Sequence, residues 1–195
     1  MDLERFLIWR CAPVLAGVKS ANLVSVSKFS FPNAQEQLER ISKESCPLKF
    51  ALVCSCVQRI LVFVYREDLL ENALCAADAA LWLEQYGYVK QMSLDEKVAH
   101  IVERLERESS CSSCEKGNVV FPHEVGVFLG YPLEDVKGFV AHGGQGAKIS
   151  GYWKVYGDEE RARKVFSLYE KCFAKSLEIA ERGASFSEAC TLLSA

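Results

Sequence analysis

The chain has 195 residues, half of them hydrophobic, and a formal net charge of −3. This length and apolar content predict one domain, residues 1–195, with a substantial core. The slightly acidic charge argues against a protein that binds nucleic acid, because such proteins usually present a basic face. The longest apolar run, residues 60–65, is far shorter than the roughly 20 residues of a membrane-spanning helix, so no membrane partner is expected.

The N-terminal segment, MDLERFLIWR, begins with an acidic residue and lacks the small-residue cleavage site of a signal peptide. A cytoplasmic location is therefore expected. Nine cysteines are many for a chain of this length. In a reducing compartment they are expected to be free thiols, mostly buried as small apolar side chains.

The N-terminal third of the chain contains one helical pattern with clear spacing, in which Leu3, Phe6 and Leu7 share a face. The predicted segments, in order, are a helix at 3–10, an irregular segment at 11–23, a strand at 22–29 and a helix at 35–42.

Residues 48–66, LKFALVCSCVQRILVFVYR, carry the strongest β-hairpin signal. Both halves are rich in Val, Ile, Phe and Tyr, and the tip near Gln58 and Arg59 is more polar. Because both faces of each half are apolar, the hairpin is expected at the centre of a sheet that is covered on each side.

Two helices are expected after the hairpin. The first spans 69–86, and the second begins at SLDE, where Ser93 and Glu96 form a capping box. The segment 107–118, RESSCSSCEKGN, is polar and rich in serine, which predicts a flexible surface loop with exposed thiols.

The segment 121–139, FPHEVGVFLGYPLEDVKGF, predicts two short helices. Pro122 suits the first position of the first helix, Gly130 suits its end, and Pro132 restarts the chain. The simplest interpretation is a pair of helices that pack against each other.

The same spacing matches a DNA-binding helix-turn-helix. A recognition helix needs donors for base edges and cations for phosphates. The exposed positions of the second helix include Glu134 and Asp135 and are acidic, so helix packing is favoured and DNA binding is the weaker alternative.

His123 and Glu124 stand side by side at the predicted start of the first helix. A histidine beside a carboxylate can act as acid, base or metal ligand. In the structural alternative, His123 donates to a backbone carbonyl and Glu124 interacts with the helix dipole. Adjacent helical residues point about 100° apart, so the two side chains need not reach one ligand.

The segment 149–157, ISGYWKVYG, predicts a strand after the glycine-rich connector HGGQGAK. Tyr152, Lys154 and Tyr156 would share one face of this strand. They are expected either to form a pocket wall for an anion, or to lie across a helix with their polar ends in water.

The last part of the chain predicts a long helix that Asp158 caps and Gly183 ends, followed by a short helix within 184–195. Together the elements predict an α+β fold: a small, mostly antiparallel sheet with a central β-hairpin, packed by several helices including a long C-terminal helix.

Several blocks of the chain, in order, resemble a family. The blocks are RFL…CAPVLAGVKSANL at 5–23, LVFVYR at 61–66, FPHEVGVFLGYPLEDVKGF at 121–139 and GYWKVYGD…F…Y.KC at 151–172. They resemble an uncharacterised family of small proteins from anaerobic bacteria, classified as a domain of unknown function. The resemblance implies no activity, fold or cofactor. A cysteine often precedes the GYWKVY block in such relatives, and Ser150 at that position puts a metal site built with Cys11 and Cys172 in doubt here.

The leading hypothesis is a small enzyme-like protein with one pocket that binds an anionic small molecule. The residues assigned to catalysis are Cys11 as nucleophile or ligand, His123 as acid or base, and Glu124 beside it. The residues assigned to ligand binding are Lys19, Tyr152, Lys154 and Tyr156. A non-catalytic binding or adaptor protein is the competing hypothesis. No metal site is assigned and no cofactor is indicated.

Overall fold

The computed structural model describes residues 2–44, 47–109 and 121–194. The α-helices in these ranges are α1 (Leu3–Arg10), α2 (Ala12–Leu15), α3 (Ala34–Ser42), α4 (Glu67–Cys75), α5 (Ala77–Leu83), α6 (Leu94–Ser109), α7 (Val125–Phe128), α8 (Leu133–Ala141), α9 (Glu159–Glu181) and α10 (Phe186–Ser194), and a short 3₁₀ helix spans Glu84–Tyr86. The strands are β1 (Ala21–Ser27), β2 (Leu48–Ser55), β3 (Arg59–Arg66), β4 (Ile149–Ser150) and β5 (Lys154–Val155).

A three-stranded antiparallel sheet has the strand order β1-β3-β2, with β3 in the centre. Ala21 of β1 pairs with Tyr65, and Leu48 of β2 pairs with Arg66. The predicted hairpin, the antiparallel sheet and the α+β class are confirmed.

Each face of this sheet buries its own core, because alternate residues of a strand point to opposite faces. Ile60 and Val64 of β3 pack with residues of α1, α2, α3 and α10. Phe63 and Tyr65, on the other face, pack with residues of α4, α5, α6 and α7. Helices therefore cover both faces, which explains why the hairpin sequence is apolar throughout.

The single helix predicted at 69–86 is instead α4, α5 and the short 3₁₀ helix Glu84–Tyr86. The backbone at Ala76 is extended, with a ψ of 129°, and it separates α4 from α5. Because the chain bends at this point, both helices bury an apolar residue in the core that contains Phe63 and Tyr65. These residues are Leu74 of α4 and Leu83 of α5.

The predicted capping box is present at the start of α6. The Ser93 backbone N–H donates to Glu96 Oε2 at 2.7 Å, and the Glu96 N–H donates to Ser93 Oγ at 3.3 Å. Because α6 continues to Ser109, residues 107–109 are helical and do not belong to the predicted loop. The rest of that loop, with both its cysteines, lies outside the described residues.

The segment 149–157 is not one strand, contrary to the prediction. β4 and β5 form a very short antiparallel hairpin, and the residues between them make a turn. At Gly151 this turn lies so close to the Phe166 ring of α9 that a Cβ would overlap it. Packing against α9 therefore reverses the chain where an alternating pattern predicts an extended strand.

The predicted long C-terminal helix is α9. Asp158 Oδ1 accepts from the Arg161 N–H at 2.9 Å, which caps the helix as expected. Gly183 has a φ of 78° just after its end, and α10 follows within the predicted range. No helix in the described part of the chain is both long and apolar enough to cross a membrane; the cytoplasmic location stays a prediction.

The described cysteines are not all free. Cys11, Cys54, Cys75 and Cys172 are free thiols, and Cys11 and Cys172 are buried. Cys190 is disulfide-bonded, so the expectation of free thiols is wrong at this position.

Candidate functional site

Four of the seven predicted site residues line one or other of two neighbouring cavities. Lys19 and Tyr152 line a cavity of about 380 Å³, which we name the Lys19 cavity. His123 and Lys154 line a cavity of about 420 Å³, which we name the His123 cavity. Tyr131 belongs to the wall of both. The predicted site residues that line neither cavity are Cys11, Glu124 and Tyr156.

The Lys19 cavity lies where α1, the start of β1 and α9 meet the turn between β4 and β5. Its aromatic lining residues are Trp9, Tyr131, Tyr152, Tyr169 and Phe173. Its polar lining residues are Arg10, Lys19 and Asn22. The cavity thus combines two cationic side chains with a largely aromatic wall.

Lys19 is the buried charge of this cavity, with only 9% of its surface exposed. Its Nζ donates to Asn22 Oδ1 at 3.0 Å and lies 5.4 Å from the centre of the Tyr131 ring. Asn22 Nδ2 in turn donates to the Arg10 carbonyl at 2.7 Å, which fixes the amide with its oxygen towards the lysine. Among the described residues, no carboxylate forms an ion pair with Lys19.

Burial lowers the pKa of Lys19 to about 8, and the nearby Arg10 charge acts in the same direction. A charged Cys11 would oppose this shift. The pKa of the Cys11 thiol is itself raised to about 12 by burial, so this group is uncharged at neutral pH. The lysine should therefore be partly deprotonated near neutrality.

We expect the free energy of unfolding of the wild type to rise with pH relative to that of Lys19→Met. The folded-state pKa of about 8 lies below the unfolded value of about 10.4. Between these values the unfolded chain binds more protons, so raising the pH favours the folded state. From pH 7 to pH 9 the difference between the two proteins should change by about 1 kcal/mol in favour of the wild type.

Denaturant unfolding at both pH values measures this change, and the other titrating groups are common to both proteins. A difference in unfolding free energy that is the same at pH 7 and pH 9 would show that the Lys19 amine is solvated in the folded state.

Cys11 does not have the surroundings of a nucleophile. The residue is fully buried in the core between α1 and the sheet, with 0% of its surface exposed. Burial raises the pKa of its thiol to about 12. The thiolate is the reactive form, so this environment disfavours the catalytic role assigned to Cys11 from the sequence.

His123 and Glu124 face different parts of the molecule. The His123 ring packs 5.0 Å from the Phe139 ring, on the wall of the His123 cavity. Glu124 is completely buried, and its Oε1 lies 2.5 Å from Nε of Arg104 on α6. The ion pair of Glu124 thus connects the start of α7 to α6. His123 and Glu124 therefore do not form a catalytic pair.

Lys154 and Tyr156 also diverge from Tyr152. Lys154 Nζ donates to the Gly144 carbonyl at 2.5 Å, and this hydrogen bond holds the glycine-rich connector against β5. The Tyr156 ring stacks on His142, with ring centres 5.6 Å apart. The predicted row of three side chains is divided because the segment that carries them turns back on itself.

Asp135 is a residue whose role sequence reasoning missed. It was expected on an exposed helix face, yet it is 2% exposed. Its carboxylate accepts hydrogen bonds from Trp153 Nε1 and from the backbone N–H groups of Tyr156 and Gly157, each at 2.7 Å. These bonds hold the β4–β5 hairpin, which carries Tyr152 and Lys154, against α8. No local pattern signals this role, because the partners lie 18 to 22 residues further along the chain.

Residues 7–190 match the family described as "Protein of unknown function (DUF3793)". The chain belongs to this family. The match confirms the resemblance to a family classified as a domain of unknown function, and it includes the lysines of both cavities. No curated protein and no solved structure matches the chain. The DUF3793 assignment names no activity.

The start of α8 in this DUF3793 chain is covered by the segment that follows β5. Asp135 accepts from Tyr156 and Gly157, and Glu134 Oε1 accepts from the Asp158 N–H at 3.4 Å. A recognition helix must present its N-terminal residues to a DNA groove. The geometry therefore favours the packing interpretation of α7 and α8.

The structure shows no candidate metal centre in the parts of the DUF3793 chain that it describes. No three histidine, cysteine, aspartate or glutamate side chains in these parts are grouped closely enough to hold an ion.

Proposed function

We propose that this DUF3793 protein binds a small anionic molecule in the Lys19 cavity. The observation that carries the proposal is a buried lysine that borders a cavity and has no carboxylate partner in the described ranges. A buried ammonium without a counter-charge is costly, by several kcal/mol per ion. A carboxylate or phosphate group of a ligand would supply that counter-charge.

Arg10 supports an anionic ligand because it adds a second cation to the cavity lining. Arg10 is exposed, and its guanidinium lies 5.6 Å from the centre of the Trp9 ring, which also lines the cavity. A guanidinium presents paired donors that match a carboxylate or a phosphate. The aromatic wall suits a flat or apolar ligand body, so the expected class is a small aromatic or apolar anion.

The anion site proposed here differs from the one expected from the sequence, which used Lys154. Lys154 and Lys19 each donate to one neutral carbonyl oxygen, but Lys154 is half-buried, whereas Lys19 is only 9% exposed and so lacks the solvent that would stabilise its charge. The His123 cavity has mostly apolar walls, so it is better suited to the apolar part of a ligand than to a charged group.

We expect benzoate, indole-3-acetate or inorganic phosphate to bind the wild type, and Lys19→Met to weaken that binding at least tenfold, or about 1.4 kcal/mol. The matched control is Lys154→Met, which removes a lysine of the neighbouring cavity and should change the affinity less than twofold. Isothermal titration calorimetry measures both. Equal affinities of the two variants for every anion would contradict the proposal, as would the absence of binding to the wild type.

The non-catalytic adaptor function is the second candidate. Phe29 and Val57 are 95% and 94% exposed, and the Lys28 N–H donates to the Gln58 carbonyl at 2.9 Å. The two apolar side chains therefore lie on neighbouring turns at one end of the sheet, where a partner protein would cover them. If no anion binds, this alternative becomes the better supported one.

A further inference from the structure

We propose that Lys19 forms an imine with a carbonyl group of the molecule bound in the Lys19 cavity. This inference rests on the anion-binding proposal and narrows its ligand class. The ligands would be aldehydes or ketones that also carry a carboxylate or phosphate group.

Lys19 lies in surroundings typical of a reactive lysine and not in those of a lysine on the protein surface. The side chain is almost completely buried, borders a cavity and is held by one hydrogen bond to a neutral amide oxygen. In the described part of the chain, no carboxylate is paired with it to keep it protonated. An amine placed in this way can reach a ligand in the cavity while it is shielded from bulk water.

The protonation state of Lys19 supports nucleophilic attack. Burial lowers its pKa to about 8, so roughly a tenth of the molecules carry the neutral amine at pH 7, against about one in 2,500 for an ordinary exposed lysine. Lysines of catalytic imines are activated by desolvation and by a neighbouring cation in the same manner. Here the neighbouring cation is Arg10, whose charge also lowers the pKa of Lys19.

The reaction balances without any oxidant or reductant. The Nζ lone pair of the neutral amine forms a bond to the carbonyl carbon, and the carbonyl oxygen takes up the proton that the nitrogen loses, which gives a neutral carbinolamine. The hydroxyl group then takes up one further proton, equivalent to the one that the Lys19 ammonium released to the solvent, and leaves as water while the nitrogen lone pair forms the carbon–nitrogen double bond. The neutral amine, the carbonyl compound and one proton thus give the iminium and one water molecule.

The cavity wall favours each step of this sequence. Tyr131, Tyr152 and Tyr169 line the cavity, and burial raises the pKa of each phenol, so all three stay protonated and uncharged and can donate a hydrogen bond to the carbonyl oxygen of the ligand. The Lys19 Nζ lies 5.4 Å and 6.0 Å from the ring centres of Tyr131 and Tyr169. Such ring faces attract a cation, so they would stabilise the iminium product. Arg10 would hold the anionic group.

The test uses 4-formylbenzoate, an aromatic aldehyde that carries a carboxylate, together with sodium cyanoborohydride, which reduces an imine to a stable secondary amine. The full-length wild type is incubated with both, digested, and mapped by mass spectrometry. We expect one dominant adduct, on Lys19, that forms at least ten times faster than any adduct on an exposed lysine such as Lys164.

Two variants and a second probe distinguish imine formation by Lys19 from binding of the anionic group by Arg10. Lys19→Arg keeps the positive charge but cannot form an imine, so it should lose the fast adduct and keep benzoate affinity within about fivefold, or roughly 1 kcal/mol. Arg10→Met changes an exposed side chain, so it should fold. It should slow the reaction with 4-formylbenzoate at least fivefold more than the reaction with uncharged benzaldehyde. Both reactions lose the effect of the Arg10 charge on the Lys19 pKa, but only 4-formylbenzoate also loses the cation that holds its carboxylate.

The imine hypothesis would be contradicted if Lys19 stayed unlabelled and the exposed lysines formed adducts at similar rates. If benzoate still binds in a Lys19-dependent manner in that case, the anion-binding proposal stands alone. If benzoate does not bind and Lys19 is unlabelled, both proposals fall. Should Lys19→Arg fail to fold, the adduct map of the wild type and the Arg10→Met rates still decide.

Discussion

Replacing Phe128 with alanine is expected to lower the free energy of unfolding by about 3–5 kcal/mol. Phe128 has 0% of its surface exposed. Its ring centre lies 5.3 Å from that of Tyr88 and 6.4 Å from that of Phe63 on the central strand. Truncation removes these contacts and leaves a cavity between α7 and the sheet, which the surrounding helices can only partly fill.

Chemical denaturation followed by circular dichroism measures this loss. The matched control is Phe29→Ala, because Phe29 is 95% exposed and its truncation should change stability by less than about 0.5 kcal/mol. A loss below about 1 kcal/mol for Phe128→Ala would mean that α7 is not part of the stable core.

The second large effect is expected at Asp135, whose replacement by alanine should cost at least about 3 kcal/mol. The carboxylate accepts three hydrogen bonds, from Trp153 just before β5 and from Tyr156 and Gly157 just after it. Each buried donor left without an acceptor costs about 1–3 kcal/mol. Because these bonds hold the hairpin that carries Tyr152, the variant should also weaken binding in the Lys19 cavity.

Asp135→Asn is the informative companion. Its amide oxygen can still accept from the Tyr156 and Gly157 N–H groups, but its NH₂ group would face the Trp153 N–H, donor against donor. An intermediate loss of about 1–2 kcal/mol is expected. Glu134→Ala, a change at the exposed neighbour in the same helix, is the control and should cost less than about 1 kcal/mol. Equal losses at Asp135 and Glu134 would show that the three hydrogen bonds contribute nothing net.

These residues, together with Lys19, show why the site differs from its prediction. A row of alternating side chains, Tyr152, Lys154 and Tyr156, predicted one pocket wall. The turn at Gly151 and the hydrogen bonds to Asp135 direct these side chains to different neighbours. The buried lysine that has no carboxylate partner among the described residues is Lys19. The buried position of Lys19 depends on rings at Tyr131 and Tyr169, which lie more than 100 residues away in the chain.

The sequence by itself determined the features that depend on neighbours a few residues apart. The Ser93–Glu96 capping box and the Asp158 cap each use partners three residues apart. The central hairpin follows from two β-rich runs joined by a short turn. Short-range signals of this kind can be recognised in a single sequence, because the interacting residues or strands are close together in the chain.

Only the tertiary structure decided which polar side chains are buried and what they contact. His123 lines a cavity while Glu124 pairs with Arg104, 20 residues earlier in the chain. Asp135 is buried because Trp153 and the backbone after it approach its helix. A charge or carboxylate is stable inside a protein only where distant groups supply its hydrogen bonds. The positions of those groups follow from the packing of whole helices and not from local spacing.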